Sequence, residues 1–98
     1  MKRYVALNRL RELETRLRCQ GVSALYLFGS VARDEADEQS DIDVAFDLPA
    51  ETAFSLFEQA ELQMMLSEEL NARVDFISLG AMRSDFRKRF QAEMIRVF

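Results

Sequence analysis

Histidine is absent from this 98-residue chain, and cysteine and proline each occur once. Without histidine, a histidine-ligated zinc site and a histidine-based catalytic triad are excluded. The lone Cys19 cannot form an intramolecular disulfide, and a single free thiol fits the reducing cytoplasm. No run approaches the roughly 20 apolar residues of a membrane-spanning helix, and the basic N-terminus lacks the apolar core of a signal peptide. We therefore expect a cytoplasmic protein with no membrane partner.

The composition is that of a folded globule, with 49% hydrophobic and 31% charged residues. A chain of this length suits one domain with a single modest core. We therefore expect residues 1–98 to form one domain.

The net charge of −4 is unevenly spread along the chain. Residues 1–20 and 81–98 carry eleven basic and four acidic groups, whereas residues 21–80 carry two basic and thirteen acidic groups. Basic ends around an acidic centre are not typical of a general nucleic-acid binder, and we expect no direct nucleic-acid binding. The acidic centre suits divalent cations, although solvated helix faces and an acidic loop would give the same pattern.

Hydrophobic periodicity predicts helices that alternate with short strands. Helices are predicted over 3–19, 50–70 and 81–92, with strands over 24–28, 42–46 and 73–77, a helix-compatible turn from residue 30, and a short fourth strand in 94–98. In the second helix the predicted apolar stripe comprises Ala53, Phe57, Ala60 and Met64, with Leu62, Leu66 and Leu70 beside it. The fold class is therefore α/β (α+β), with a small mixed sheet of three to four strands covered by helices.

Two carboxylates interrupt the apolar segment SDIDVAF. Asp41 and Asp43 are two residues apart in the predicted strand, so they share a face about 6–7 Å apart. At an effective dielectric constant of 20 their repulsion is roughly 2–3 kcal/mol. Mg²⁺ would offset this repulsion, because it prefers oxygen ligands and needs only one or two protein carboxylates.

A third carboxylate, Asp75, interrupts the apolar segment VDFI. If its strand pairs beside residues 42–46, the three carboxylates converge, as in two-metal phosphoryl or nucleotidyl transfer. The Gly29–Ser30 pair follows the first predicted strand. A glycine at this position lets the backbone approach a phosphate closely, and the N–H groups at the start of the next helix point at the anion.

Together, the runs GSVARDE, SDIDVAF and VDFI resemble the nucleotidyltransferase superfamily of DNA polymerase beta, and within it the minimal nucleotidyltransferases of prokaryotes. The resemblance covers nearly the whole chain. It implies ATP as substrate and two Mg²⁺ ions as cofactors. It also implies a role for each matching residue: metal binding and catalysis for Asp41, Asp43 and Asp75, and nucleotide binding for Gly29, Ser30, Arg33 and Glu35.

One position departs from the family pattern. Asp34 stands where the family usually has glycine. Such a glycine often serves a left-handed backbone conformation, and aspartate tolerates that conformation better than most residues. The departure therefore bears on the detail of the loop rather than on the activity.

The resemblance also implies a partner. Larger relatives carry a second domain that holds the acceptor, and 98 residues leave no room for one, so either a dimer or a separate partner is expected. Minimal nucleotidyltransferases often pair with a helical HEPN-domain toxin. This chain would then be the antitoxin, transferring AMP from ATP to a tyrosine hydroxyl of that toxin, with its basic terminal helices as candidate docking faces.

Two other functions are compatible with the sequence. The chain could be a binding module that neutralises its partner by contact alone and retains the motif as a relic. It could also be a small-molecule transferase of the aminoglycoside type, which the missing acceptor domain disfavours. Retention of all three aspartates favours an active enzyme, because a relic has no physical reason to keep carboxylates that repel each other.

Overall fold

The fold is seen in a computed structural model that describes residues 1–52 and 54–98. Helices and strands alternate in the order α1 (Arg3–Glu12), α2 (Glu14–Cys19), β1 (Ala24–Phe28), α3 (Gly29–Ala32), β2 (Ile42–Asp47), α4 (Leu56–Leu70), β3 (Val74–Ser78), α5 (Ser84–Gln91) and β4 (Ile95–Arg96). A 3-10 turn over Leu79–Ala81 leads from β3 towards α5. The short C-terminal strand that the sequence predicts is therefore present.

The strands form one mixed sheet in the order β3-β2-β1-β4. Strands β2 and β3 are parallel, whereas β1 is antiparallel to both β2 and β4. Parallel neighbours need a crossover connection, and α4 provides it between β2 and β3. This arrangement confirms the predicted fold class of a small mixed sheet covered by helices.

The two faces of the sheet differ in what covers them. Ile42, Val44 and Phe46 of β2 are buried in the main core, which also contains leucines of α1, α2 and α4. On the other face, Phe28 and Ala45 form a smaller cluster with residues that include Phe90 of α5. Asp43 lies on this second face, because side chains alternate along a strand. The predicted alternation in β2 is therefore confirmed.

The first helix is not continuous, contrary to the prediction for residues 3–19. At Leu13 the backbone has ψ near 2°, and its N–H bonds the carbonyl of Leu10 at 3.0 Å, as in a 3-10 turn. Leu10, Leu13 and Leu17 are nevertheless all buried. Hydrophobic periodicity therefore predicts the helical segment but not the break at Leu13.

The second long helix begins at Leu56, so the predicted start near residue 50 is wrong. Glu51 has φ of 69°, which is incompatible with a right-handed helix. Ser55 and Glu58 instead form a capping box, in which the Ser55 hydroxyl accepts the Glu58 N–H at 3.1 Å. At the other end Asn71 adopts the left-handed conformation, with φ of 50° and ψ of 44°, and ends the helix as predicted.

The apolar stripe of α4 is also corrected. Leu62, Leu66 and Leu70 face the core, whereas Phe57 is 74% exposed and Met64 is 63% exposed. Ala53, predicted to belong to the same stripe, lies outside the described residues. Because α4 packs along only one side, its second apolar stripe has no cover within the described chain.

In the described part of the chain, no helix is both long enough and apolar enough to cross a membrane.

Candidate active site

Gly29 forms the sharp turn between β1 and α3. Its φ of +76° lies in the left-handed region, which favours glycine. A Cβ atom at this position would collide with Oδ2 of Asp43 and lie 3.1 Å from its Cγ. Both the conformation and the space therefore require glycine, and the start of α3 packs directly against the Asp43 carboxylate.

Asp43 and Asp75 lie opposite each other in the parallel pair of β2 and β3. Neighbouring strands are about 4.8 Å apart, so residues in register on the same face bring their side chains together. Both residues are half-buried. The sequence predicts that the carboxylates converge if these two strands are neighbours. The strands are neighbours, and their pairing brings Asp43 and Asp75 together.

The Asp43 carboxyl is electrostatically strained. Burial, a hydrogen bond with Asp75 and the negative charges of Asp75 and Asp41 raise the pKa of Asp43 from 3.8 to about 6. The positive charge of Arg33 acts in the opposite direction. The negative charges therefore outweigh the positive charge of Arg33, and a cation placed between the carboxylates would relieve the strain.

Asp41 lies one residue before β2, near enough to Asp43 for its negative charge to help raise the pKa of that carboxyl. Its Oδ2 is 3.9 Å from Nε of Arg73, in an exposed pair that contributes little to stability. Within residues 1–52 and 54–98, no three acidic or thiol side chains form a ready metal cluster. The pair of Asp43 and Asp75 still fits Mg²⁺, which takes one or two carboxylates and completes its shell with water and phosphate.

The loop after α3 is closed by its own residues. The Glu35 N–H donates to the carbonyl of Ser30 at 2.9 Å, and Nε of Arg33 donates to the Glu35 carboxylate at 3.1 Å.

Nη1 of Arg33 also donates to both carboxylate oxygens of Glu93, at 3.0 and 3.2 Å. Sequence reasoning missed Glu93, because no motif links it to a residue sixty positions away.

Asp34 adopts the left-handed conformation expected of the glycine that it replaces, with φ of 60°. Its Oδ1 also accepts the backbone N–H of Arg3 at 3.2 Å. The substitution therefore preserves the path of the loop and ties it to the start of α1.

Two cavities lie away from these residues. One, of about 380 Å³, lies between α2 and α4 and is lined by Phe54, Leu62 and Met65 among others. The other, of about 200 Å³, is lined by residues that include Tyr26, Arg87 and Arg96. Neither contains a carboxylate of the strands. The candidate site is therefore defined by the aspartates of the strands and the Gly29 turn, and not by a cavity.

Comparison with known sequences supports the resemblance. The family of polymerase beta nucleotidyltransferases matches residues 11–98. The protein adenylyltransferase MntA of Thermococcus cleftensis is 35% identical over 77 residues, which cover 79% of this chain and 76% of the relative.

Solved structures share the fold. A minimal nucleotidyltransferase is 30% identical with a TM-score of 0.79, and the match covers 97% of this chain and 95% of that one. A toxin–antitoxin structure with AMP-PNP has a TM-score of 0.79 at 22% identity, covering 94% and 72%. A complex of a tri-AMPylated HEPN toxin with an MNT antitoxin from Shewanella oneidensis has a TM-score of 0.72 at 20% identity, covering 98% and 71%. The chain therefore belongs to the polymerase beta nucleotidyltransferase family, as its motifs predicted, and its enzymatic activity is nucleotidyl transfer.

Proposed function

We propose that this chain is a Mg²⁺-dependent adenylyltransferase and antitoxin that transfers AMP from ATP to a tyrosine hydroxyl of a HEPN-domain toxin in the cytoplasm. The observation that carries the proposal is the packing of the Gly29 turn against Asp43, which itself faces Asp75. The relative named MntA is a protein adenylyltransferase, and one structural neighbour contains an AMPylated HEPN toxin.

The residues of the site divide into two groups with distinct roles. Asp41, Asp43 and Asp75 would hold up to two Mg²⁺ ions, since all three supply the oxygen ligands that Mg²⁺ prefers. When bound, the metal neutralises the phosphates and lowers the barrier to displacement at the α-phosphorus. Gly29 and Ser30 would receive the β- and γ-phosphates, through backbone N–H groups and the Ser30 hydroxyl, with Arg33 and Glu35 supporting the loop.

The proposed reaction is an in-line displacement. The tyrosine oxygen forms a bond to the α-phosphorus of ATP, the bond from that phosphorus to the β-bridging oxygen breaks, and pyrophosphate leaves. Asp75 takes the proton of the hydroxyl, because it lies beside Asp43 near the N-terminal ends of β2 and β3, where the α-phosphate would sit. A cation beside Asp43 would favour its charged form, because burial and neighbouring negative charges raise the pKa of this carboxyl to about 6.

We assign the acceptor hydroxyl to a partner protein, because one structural neighbour is a complex of an antitoxin with an AMPylated HEPN toxin. The exposed stripe of α4, comprising Leu56, Phe57, Ala60 and Met64, is the surface that we assign to the HEPN toxin. Exposed apolar patches of this kind mark interaction sites. Helix α4 contains no lysine or arginine and carries several glutamates beside this stripe, so the surface would suit a partner that offers apolar contacts together with basic side chains.

Phe57→Glu and Met64→Glu are therefore expected to weaken binding of the HEPN-domain protein at least about tenfold, because a charge would replace an apolar contact. Isothermal titration calorimetry checks this. Tyr4→Glu places the same charge on a side chain of α1 that is 63% exposed, and weaker binding in that variant alone would move the docking face to α1. Loss of binding on charge reversal of Arg87, Lys88 and Arg89, with Phe57→Glu unaffected, would move the docking face to α5.

The activity itself is tested with ATP labelled at the α-phosphate, Mg²⁺ and the HEPN-domain protein that co-purifies with this chain. We expect label on the HEPN-domain protein, mapped to tyrosine by mass spectrometry, and its loss in Asp41→Asn. Tight binding of the partner by both forms, with no label in either, would instead support the binding module that neutralises by contact alone.

A further inference from the structure

Arg33 is held by a carboxylate from the far end of the chain. Nη1 of Arg33 bonds both oxygens of Glu93, and the Glu93 side chain is only 25% exposed, against 66% for Glu35. Ion pairs that are partly removed from water keep more of their attraction than fully exposed ones. Glu93 is therefore the less exposed of the two carboxylates that hold the guanidinium.

The packing of α5 fixes the position of Glu93. The N–H groups of Glu93 and Met94 both bond the carbonyl of Phe90, at 3.1 and 3.0 Å. The Phe90 ring packs edge-on against Phe28, with ring centroids 5.5 Å apart. Phe28 directly precedes Gly29, so the contact that seats α5 on the sheet also places Glu93 beside the loop that carries Arg33.

We propose that Glu93 is a positioning residue that holds the Arg33 guanidinium where it can meet the triphosphate of the bound nucleotide. This inference rests on the proposed function. Glu93 and Glu35 engage Nη1 and Nε, whereas Nη2 makes no hydrogen bond to any residue that the structure describes. The N–H groups of Nη2 therefore remain available to an anionic ligand.

The contact with Glu93 supports binding rather than blocking it. The backbone N–H of Arg33 donates to the carbonyl of Gly29 at 3.1 Å, so the guanidinium that Glu93 holds belongs to the turn that packs against Asp43. Without Glu93 the long Arg33 side chain would sample several rotamers, and ordering it on binding would cost free energy.

The inference predicts a change in affinity more than in rate. For Glu93→Ala we expect the Kd for a fluorescent ATP analogue with Mg²⁺ to rise about five- to tenfold, and the KM for ATP to rise in parallel. We expect kcat to change less than about twofold, because an interaction made equally in the ground and transition states affects binding alone. Glu93→Gln, which keeps the shape and loses the charge, should give the same direction with a smaller rise.

A double-mutant cycle tests whether Glu93 acts through Arg33. In an Arg33→Ala background, Glu93→Ala should produce no further rise in Kd. Glu69→Ala is the matched control, since Glu69 pairs with Arg16 at 2.9 Å outside the site and its loss should leave Kd unchanged. Circular dichroism melts confirm that each variant is folded, and Glu93→Gln carries the test should Glu93→Ala fail to fold.

The outcomes separate this inference from the proposed function. A wild-type Kd in both Glu93 variants, or an equal effect of Glu93→Ala with and without Arg33, would overturn the positioning role. A wild-type chain that binds the analogue but transfers no AMP would overturn the proposed function, while the binding cycle would still decide the role of Glu93. Absence of nucleotide binding by the wild-type chain would contradict both.

Discussion

Asp43→Asn is expected to stabilise the metal-free protein at pH 7 while removing its nucleotidyl transfer. The pKa of Asp43 is raised from 3.8 to about 6, so at pH 7 the folded chain carries a carboxylate that its surroundings disfavour. Asparagine has nearly the same shape and no charge. Allowing for the partial exposure of Asp43, we expect a gain of about 1–2 kcal/mol in the free energy of unfolding. Transfer should fall on the order of a thousandfold, equivalent to about 4 kcal/mol of lost transition-state stabilisation.

The pH dependence of this gain has a definite sign. A carboxyl whose pKa is raised on folding stabilises the fold while protonated, below about pH 4, and that stabilisation is lost as pH rises through about 6. Wild type and Asp43→Asn should therefore be nearly equally stable near pH 4, and the variant should be more stable at pH 7. Urea unfolding with a chelator present measures the difference.

Asp47→Asn is the matched control, because Asp47 lies at the exposed end of the same strand. Adding Mg²⁺ at pH 7 should stabilise the wild type and narrow its gap to Asp43→Asn. A variant no more stable than wild type at pH 7, or a gap unchanged by Mg²⁺, would mean that Asp43 is not a strained metal-binding carboxylate.

Gly29→Ala is the second change with a large expected effect. The added methyl group would collide with Asp43, and alanine would have to adopt φ near +76°. We expect a loss of about 1–3 kcal/mol in the free energy of unfolding. Since the turn must shift, the N–H groups that we assign to the phosphates would move with it, and transfer should fall on the order of a hundredfold.

Gly80→Ala provides a control from the same chain. A Cβ there would be 3.8 Å from the nearest atom, Oγ of Ser78, and the backbone is not left-handed. That variant should keep wild-type stability to within about 0.5 kcal/mol and full activity. If Gly29→Ala behaved in the same way, the close packing of the turn against Asp43 would not matter to the reaction.

The sheet was predictable because its strands are short, apolar and bounded by breaks. The placement of Asp43 opposite Asp75 could be predicted only on the condition that their two strands are neighbours. Periodicity shows which face of a sheet a residue takes, but not which strand lies beside it. The mixed sheet itself followed from the alternation of elements. The chemical roles of the site residues remain predictions of the motif.

The errors have local physical causes. The predicted start of α4 at residue 50 overlooks the capping-box pattern of Ser55 and Glu58, which fixes the first turn. The sequence of α4 offers two apolar stripes, one with Phe57 and Met64 and one with Leu62, and periodicity does not show which of them faces the core. Only the packing of the helix on the sheet decides that the stripe with Leu62 is buried. Glu93 was missed because its contact with Arg33 depends on where α5 is seated.

The most direct test of nucleotidyl transfer compares ATP labelled at the α-phosphate with ATP labelled at the γ-phosphate, each with the wild-type chain, Mg²⁺ and the HEPN-domain protein. Displacement at the α-phosphorus predicts that the protein acceptor retains the α label, while the γ label leaves in pyrophosphate. Retention of the γ label without the α label would show phosphoryl transfer instead, and would contradict the role assigned to Asp41, Asp43 and Asp75.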